Sequence, residues 1–504
     1  MGDITDDVSL LGIPVPVDVL QPLLTAASSS SLKETLEILV ESSRTGVGRS
    51  DLASKNILPT VLRLIQSICY ASCRQYLLLS LKLLRNLCAG DITNQNLFIE
   101  CNGVGVVLTI LRFTGLDSGA DCGIVRMALQ VLANVSLAGE RHQRAIWSLF
   151  FPNEFVTLAK VRSQETCDPL CMVIYVCCDG SAGLFQELCE EKGFAIMTEI
   201  LVTASSVGFK EDWLKLLVSR ICVEEIHFPL FFSNLYQVSA PVQLEDPNLI
   251  DNTFSTEQAF LLRIVSEIVN ERIEEIIIPI DFALSVLEIF KRSIRAVDFS
   301  SKGKFSLPTP SSAINVLGYS LTILRDICSL EGSAGSSSEG SIDVVDTLKS
   351  SGLIELLLCL LCDLEPPAII RKAMRLSENQ DGTNSHSYKT CPYMGFRRDI
   401  VAVIGNCAYR RKHIQDEIRE RNGVLLLLQQ CVTDEDNPFL REWGIWSVRN
   451  LLEGNAENQQ AVIDLELQGS VEVPELAGLG LKVEVDQKTR RAKLVNISSK
   501  KFKE

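Results

Sequence analysis

The stretch from Lys389 to Glu466 contains two copies of one pattern, and this repetition limits the fold more than any other feature of the chain. In the first copy an apolar helix pattern ends near Asn406, and a basic break, an amphipathic helix and a short apolar helix follow. From Leu440 the pattern begins again, and Asn450 stands where Asn406 stood, 44 residues earlier. A repeated unit of this size predicts that the chain is built from stacked helical repeats.

The N-terminal half repeats the same order of helices and breaks. Its copies span Tyr76–Leu111, Met127–Leu158 and Leu170–Leu201. Asn86 and Asn134 stand near the end of the first helix in two copies, 48 residues apart, and Asp326 takes this place in a later copy. These spacings are close to the period of about 40–47 residues that is typical of HEAT and armadillo repeats.

The repeats predict an all-α fold, an armadillo/HEAT-like right-handed α-solenoid of stacked helical repeats. The composition agrees, because 46% of the residues are apolar but only 6% are aromatic, and an aliphatic core suits helix-on-helix packing. After residue 480 apolar and charged residues alternate, which predicts a short C-terminal extended or hairpin tail.

Composition changes and breaks divide the chain into six predicted segments. They are a flexible N-terminal lead-in (1–31), N-terminal armadillo-like repeats (32–204), divergent helical repeats or a connector (205–310), a helical repeat with Ser/Gly/Glu and polar loop insertions (311–388), the C-terminal repeats (389–470) and a basic extended tail (471–504).

The charge balance argues against two classes of partner. A net charge of -15 opposes general binding to nucleic acid or to an anionic membrane, since phosphate contacts need clustered Lys and Arg. The start, MGDITDDVSL, is acidic where a signal peptide is basic, and the apolar runs are too short to span a bilayer. We therefore expect a cytosolic protein whose partners are proteins.

No arrangement of residues indicates catalysis, a cofactor or a metal. The four histidines are scattered, and Gly103-Val-Gly105 lacks the third glycine of a dinucleotide loop. The pair Cys359 and Cys362 has no second such pair or histidine nearby, so zinc is not indicated. We expect the cysteines to be buried structural thiols, and the protein not to be an enzyme or to bind a small-molecule substrate.

The repeated asparagines are candidate partner-binding residues: Asn86, Asn134, Asn406 and Asn450. An amide carries two donors and an acceptor, so a row of them could hold the backbone of an extended peptide. Alternatively, these side chains cap helix ends or form hydrogen bonds to the neighbouring repeat. The pattern favours the second interpretation, and both stay open.

A locally basic stretch and a tryptophan pair give further candidates in the C-terminal repeats. From Lys389 to Arg421 there are eight basic and only four acidic residues. The basic candidates, which could meet an acidic partner surface or a second copy or could simply be solvated, are Arg397, Arg398, Arg410 and Arg411. Trp443 and Trp446 share one helical face, where core packing is favoured over an exposed anchor.

Ser336 is a candidate phosphorylation site. It stands in an acidic, Gly/Ser-rich stretch, Glu331 to Ser341, that we expect to form a surface loop. An added phosphate would extend this stretch by charge repulsion.

The C-terminal repeats resemble the C-terminal domain of the ataxin-10 family over about 80 residues. The segments that carry the resemblance are Phe396 to Cys407, Asp434 to Phe439 and Arg441 to Leu451. The resemblance implies an armadillo-like, non-enzymatic, cytosolic protein whose C-terminal domain associates with itself and that acts in cell division or survival by binding proteins. It supplies no catalytic residues.

The leading hypothesis is therefore a protein–protein interaction scaffold that self-associates through residues 389–470. A transport-type armadillo adaptor that holds extended peptides is the alternative, although the four tryptophans do not recur at the repeat period. An enzyme of unrecognised class is a remote third hypothesis.

Overall fold

A computed structural model describes residues 32–67, 70–114, 119–210, 212–239, 253–299, 311–330, 343–371, 388–465, 481–485 and 492–496. The contacts between residues divide the chain into two compact units, Met1–Glu271 and Arg272–Glu504. The lead-in, the Ser336 stretch and the polar insertion at 376–387 lie outside the described residues, and the six segment boundaries remain predictions.

The described part of the first unit is helical. Its helices are α1 (Leu32–Ser42), α2 (Gly46–Ser54), α3 (Ile57–Ser67), α4 (Tyr70–Leu87), α5 (Ile92–Glu100), α6 (Gly103–Phe113), α7 (Cys122–Ser136), α8 (Glu140–Phe150), α9 (Asn153–Ala159), α10 (Gln164–Asp179), α11 (Ala182–Leu188), α12 (Glu191–Val207), α13 (Trp213–Ser219), a π-helical segment (Arg220–Glu224), α14 (Phe228–Ser239) and α15 (Thr256–Arg272).

The described part of the second unit is helical up to a final hairpin. Its helices are α16 (Ile280–Ala296), α17 (Ser311–Cys328), α18 (Val344–Ser350), α19 (Leu353–Asp363), α20 (Phe396–Ala408), α21 (Lys412–Glu420), α22 (Gly423–Leu428), α23 (Leu440–Leu452) and α24 (Ala456–Asp464). Strand β1 (Leu481–Val485) pairs with β2 (Ala492–Asn496) in antiparallel register, with Val483 opposite Leu494. The predicted all-α repeat fold and the terminal hairpin are confirmed.

Each repeat consists of a long helix, a middle helix and a third helix, in the order that the sequence predicts. This order is found in α4–α6, α7–α9, α10–α12 and α20–α22. The long helices stack on one another within each unit, α4 on α7 and α7 on α10 in the first, α17 on α20 and α20 on α23 in the second. Their buried leucines, isoleucines and valines form one continuous core along each stack.

Local signals explain where the helices break. Asp91 caps α5 by accepting from the Asn94 amide, and Asn455 caps α24 by accepting from the Asn458 amide. The break before the third helix is Asn102-Gly103, in which Asn102 adopts the left-handed conformation, with φ of 56°. Glycine must follow, because a Cβ there would lie 2.5 Å from the Phe98 ring.

No single helix among the described residues is both long and apolar enough to cross a membrane. Only α5 and α6 taken together meet that test of length and composition, and they are bent by 71° at their junction.

Candidate interaction surface at the last repeat

An asparagine near the end of a long helix donates to a backbone carbonyl of the preceding long helix. The donor–acceptor pairs are Asn86 with Val40 (3.2 Å), Asn134 with Arg85 (2.8 Å), Asn406 with Arg325 (3.0 Å) and Asn450 with Gly405 (3.0 Å). In the last three pairs the acceptor residue immediately precedes the position that holds the asparagine in the earlier repeat. In the repeat that contains Arg325, this position is occupied by Asp326. These carbonyls lie in the last turn of their helices, where an α-helix leaves carbonyls without intrahelical donors. Two of them have a further local donor, since Arg325 O also accepts from Ser329 N and Val40 O also accepts from Ser43 Oγ.

This geometry bears on the hypothesis that the asparagines hold an extended peptide. The side chains of Asn86 and Asn450 are buried, and their amide NH₂ groups already bond to the neighbouring helix. Asn134 and Asn406 are half-buried and make the same type of bond. The structure places all four amides in the packing between repeats.

Two glutamines that the sequence analysis missed, Gln95 and Gln415, form further bonds between repeats, whereas Gln143 at the equivalent position donates to Ser136 O of its own repeat at 3.3 Å. Gln95 Nε2 donates to Asn134 O of the next long helix at 2.8 Å, and Gln415 Nε2 donates to Asn450 O at 2.8 Å. A glutamine follows each of the four asparagines by nine residues, at positions 95, 143, 415 and 459. This constant spacing from the asparagines could have identified the glutamines from the sequence. Gln459, in the last repeat, donates to Leu452 O of its own repeat at 2.9 Å.

Small residues let α20 and α23 pack closely. Ser447 Oγ donates to Val401 O at 2.9 Å, and a Cβ added at Gly405 would lie 2.2 Å from Ser447 Oγ. Because protein interiors are close-packed, this contact has no room for a larger side chain.

The side of α23 that faces away from α20 is exposed, whereas the equivalent side of α20 is buried. Val401 and the adjacent Ala402 are buried in α20, whereas their counterparts 44 positions later, Ile445 and Trp446 in α23, are 52% and 46% exposed. No further long helix covers α23 among the described residues. Since Trp446 and Arg449 stand where α20 has Ala402 and Gly405, another helix could not approach α23 as closely as α23 approaches α20.

We call this uncovered side of α23 the end face, and it consists of Phe439, Glu442, Ile445, Trp446 and Arg449. These residues are spaced by one, three or four positions and therefore share one side of the helix. Phe439 is 67% exposed, and Arg449 Cζ lies 4.8 Å from the centroid of the Trp446 ring. Neither Glu442 nor Arg449 forms a salt bridge with another described residue.

Arg397 is buried, so the expectation that it contributes to a basic surface is wrong. It is 1% exposed; its Nη1 donates to Gln430 Oε1 at 3.2 Å and its Nη2 donates to Glu365 O. Burial lowers the pKa of the guanidinium group. Its position in the first turn of α20 directs the side chain into the interior, where it ties α20 to two other segments.

The remaining arginines do not form one basic surface either. Arg411 is 7% exposed and pairs with Asp343 through Nε at 3.0 Å, whereas Arg410 is exposed and lies over the Tyr409 ring. Arg398 is half-buried and pairs with the adjacent Asp399 at 2.7 Å. Arginines that are neighbours in sequence therefore differ in burial, and only one of each pair is accessible.

The two tryptophans differ in exposure. Trp443 is half-buried, whereas Trp446 is 46% exposed, so the favoured expectation of core packing is wrong for Trp446. The buried side of α23 carries Leu440, Ser447 and Leu451, and Trp446 lies on the opposite side.

Most described cysteines are buried, as expected, but Cys359 and Cys362 are exposed on α19, which corrects the expectation for that pair. Burial raises the pKa of Cys177 and Cys189 to about 12, so these thiols stay protonated and poorly reactive. Within the described ranges no group of three or more His, Cys, Asp or Glu could hold a metal ion.

The stacked long helices and their bonded asparagines define the class, which is an all-α helical-repeat protein. The family model for the spinocerebellar ataxia type 10 protein domain matches residues 396–495. The chain is 24% identical to ataxin-10 of Xenopus tropicalis over 411 residues, which cover 80% of this chain and 77% of that protein. It is 23% identical to ataxin-10 of Bos taurus over 481 residues, covering 86% and 88% of the two chains. The chain belongs to the ataxin-10 family.

Two further similarities are more limited. A match to ataxin-10 of Homo sapiens is 38% identical over 90 residues, which cover 18% of this chain and 19% of that protein. The crystal structure of an engineered protein is 13% identical and covers 86% of this chain and 98% of its own, but the TM-score of 0.30 is too low to support an inference.

Proposed function

We propose that the protein is a non-enzymatic scaffold of the cytosol that binds other proteins and associates with itself through its C-terminal repeats. The observation that carries the proposal is the end face, where α23 presents Phe439, Ile445 and Trp446 to solvent. The equivalent side of the preceding long helix is buried. An end face of this kind is the point at which a stack of repeats meets another molecule.

The chemistry of the end face supports protein binding. Contiguous exposed apolar side chains with a polar rim are typical of interaction surfaces. Tryptophan and arginine are enriched among residues that dominate binding energy, and Trp446 and Arg449 lie in contact on this surface. Trp446 has the large apolar area that an anchor residue needs.

The proposed binding surface is not the row of asparagines that the sequence offered as a site for an extended peptide. The amide groups of Asn86 and Asn450 are already bonded within the protein. The proposal therefore places contacts with a partner on the end face and does not require an extended peptide along the asparagines.

Light scattering on the purified full chain tests the proposal. We expect the mean mass to rise above the monomer mass of 55.7 kDa as concentration increases, and the Trp446→Ala variant to stay near the monomer mass. Phe113→Ala is the matched control, because Phe113 is 71% exposed in the first unit, and it should behave like the native chain.

Two results would overturn the proposal. A native chain that stays at 55.7 kDa at all concentrations contradicts self-association. A native chain and a Trp446→Ala variant that associate equally contradict the role of the end face. Circular dichroism establishes that each variant is folded.

We extend the proposal to the role in cell division and survival that the resemblance implies. Cells depleted of the protein should regain normal division with the native chain and with Phe113→Ala, but not with Trp446→Ala. Equal rescue by all three would separate that role from the end face.

A further inference from the structure

We infer that the long helices of the first unit carry a binding site for an acidic peptide segment of a partner protein, formed by Arg44, Lys82, Arg85 and Arg126. We call these four residues the basic cluster. The inference rests on the proposed binding of other proteins, but it names a different surface from the end face and the chemistry of the partner. It follows from a positive charge that the neighbouring residues do not neutralise.

Arg85, near the end of α4, is held in place by uncharged partners. Its Nε and Nη2 donate to Asn86 Oδ1 at 3.2 and 2.9 Å, and its Nη1 donates to Gln130 Oε1 of α7 at 3.1 Å. The side chain is half-buried, and it forms no salt bridge with another described residue. These bonds orient the guanidinium group, while its charge has no carboxylate beside it.

The charges that act on Arg85 are positive. Burial lowers the pKa of Arg85, and the positive charges of Arg126 and Arg44 lower it further. Lys82 lies three residues before Arg85 and therefore on the same side of α4. Lys82 also forms no salt bridge with a residue in the described ranges. The arrangement is suited to an anion that comes from another molecule.

The two outer arginines of the basic cluster have weak partners. Arg44 pairs with Glu41 at 3.1 Å and Arg126 pairs with Glu165 at 3.3 Å, and the four side chains are 40–65% exposed. Salt bridges as open as these contribute little stability, so a carboxylate of a ligand can replace either glutamate. With both glutamates counted, four positive charges stand against two negative ones.

The second unit neutralises its equivalent arginine. Arg325 precedes Asp326 near the end of α17, as Arg85 precedes Asn86 near the end of α4. Arg325 Nη2 lies 2.7 Å from Asp326 Oδ1, which forms a salt bridge. Because the first unit has an amide where the second has a carboxylate, Arg85 keeps a charge that Arg325 shares with its neighbour.

The extent of the basic cluster suits an extended chain. Arg44 follows α1, and α1 stacks on α4, which stacks on α7, so the cluster crosses three successive long helices. Packed helix axes are about 8–10 Å apart, so an extended chain of about five or six residues spans the cluster. Glutamate and aspartate on such a chain form strong charge-assisted hydrogen bonds with guanidinium groups. The net charge of -15 disfavours nucleic acid, whose charge would continue beyond the cluster.

Fluorescence anisotropy on the full chain tests the site. The probe is a labelled peptide of six glutamates between glycine–serine flanks, and the same peptide with six glutamines is its control. We expect saturable binding of the glutamate peptide that weakens as salt is added, and no binding of the glutamine peptide. Lys82→Glu and Arg85→Gln should each weaken binding about tenfold or more. Lys192→Glu, at an exposed position on α12, is the control for a reversed charge elsewhere and should bind like the native chain.

Asn86→Asp gives the first unit the carboxylate that the second unit has at this position. We expect it to weaken binding of the glutamate peptide about tenfold, since Arg85 would then be neutralised from within. Asn86 Nδ2 also donates to Val40 O, so circular dichroism must show that the variant is folded. Lys82→Glu tests the charge without disturbing that bond.

The outcomes separate this inference from the proposed self-association. The inference is wrong if the native chain does not bind the glutamate peptide, or if Lys82→Glu and Arg85→Gln bind it as tightly as the native chain. It is also wrong if a single-stranded oligonucleotide of twelve nucleotides displaces the peptide as well as unlabelled glutamate peptide does. Trp446→Ala should bind the peptide normally, so a failure of end-face association leaves the basic cluster standing, and the reverse holds as well.

Discussion

Asn450 Nδ2 donates to Gly405 O at 3.0 Å, and Gly405 immediately precedes Asn406, which makes the equivalent bond to the long helix before it. The side chain of one repeat thus completes the backbone hydrogen bonding of the previous one. The link explains why the asparagine recurs at the repeat period, because every stacked long helix ends with carbonyls that need a donor.

Removing this donor should destabilise the C-terminal repeats. In Asn450→Ala the buried carbonyl of Gly405 loses its partner, and we expect the free energy of unfolding to fall by about 1–3 kcal/mol. Urea unfolding followed by circular dichroism measures the change. Gln460→Ala, an exposed position on α24, is the control and should have little effect. Equal midpoints for native protein and Asn450→Ala would contradict the assigned role.

The close contact between α20 and α23 gives a second prediction. Gly405→Ala places a methyl group 2.2 Å from the original position of Ser447 Oγ, so we expect a loss of about 1–3 kcal/mol from overpacking. Adding Ser447→Gly makes room for that methyl group. The double variant should therefore lose less stability than the sum of the two single variants, and simple additivity would show that the two positions are not coupled.

Two adjacent arginines should respond very differently to the same substitution. Arg411→Met removes a buried partner of Asp343 and of Leu330 O, and we expect a loss of about 1–3 kcal/mol. Arg410→Met changes an exposed side chain and should stay within about 0.5 kcal/mol of the native protein. The comparison of thermal unfolding midpoints for the two variants tests the assignment, which equal losses would contradict.

His142 should make the stability of the first unit depend on pH. Burial, assisted by the nearby positive charge of Arg141, lowers the pKa of His142 in the folded protein. Well above the ordinary imidazole pKa of about 6.5 the ring is neutral in both states. As the pH falls below that value, the unfolded chain takes up a proton that the folded protein does not, so stability decreases.

The variant His142→Gln isolates this contribution. Between pH 6.5 and about 5.5, above the range in which ordinary carboxylates titrate, the urea midpoint should fall more steeply for the native protein than for the variant. Parallel slopes for the two proteins would exclude His142 as the source of the dependence.

The class of fold, the order of helices in a repeat and the terminal hairpin could be predicted from the amino-acid sequence alone. These features depend on local signals. Breaks such as Asn102-Gly103 are set by the left-handed conformation of the asparagine and by the lack of room for a Cβ on the glycine. The regular spacing of the asparagines, and the aspartate Asp326 at the same position in one repeat, could be recognised for the same reason. Each repeat carries its own polar residue at the end of its long helix.

Which of these side chains are accessible depends on how the helices pack, and this could not be predicted from local patterns. Arg397 and Arg398, or Arg410 and Arg411, look alike in sequence, but one member of each pair is buried because a neighbouring element covers it. The exposure of Trp446 depends in the same way on whether another long helix stacks on α23. Burial is set by packing against helices tens of residues away, and this is why the end face could not be found before the repeats were stacked.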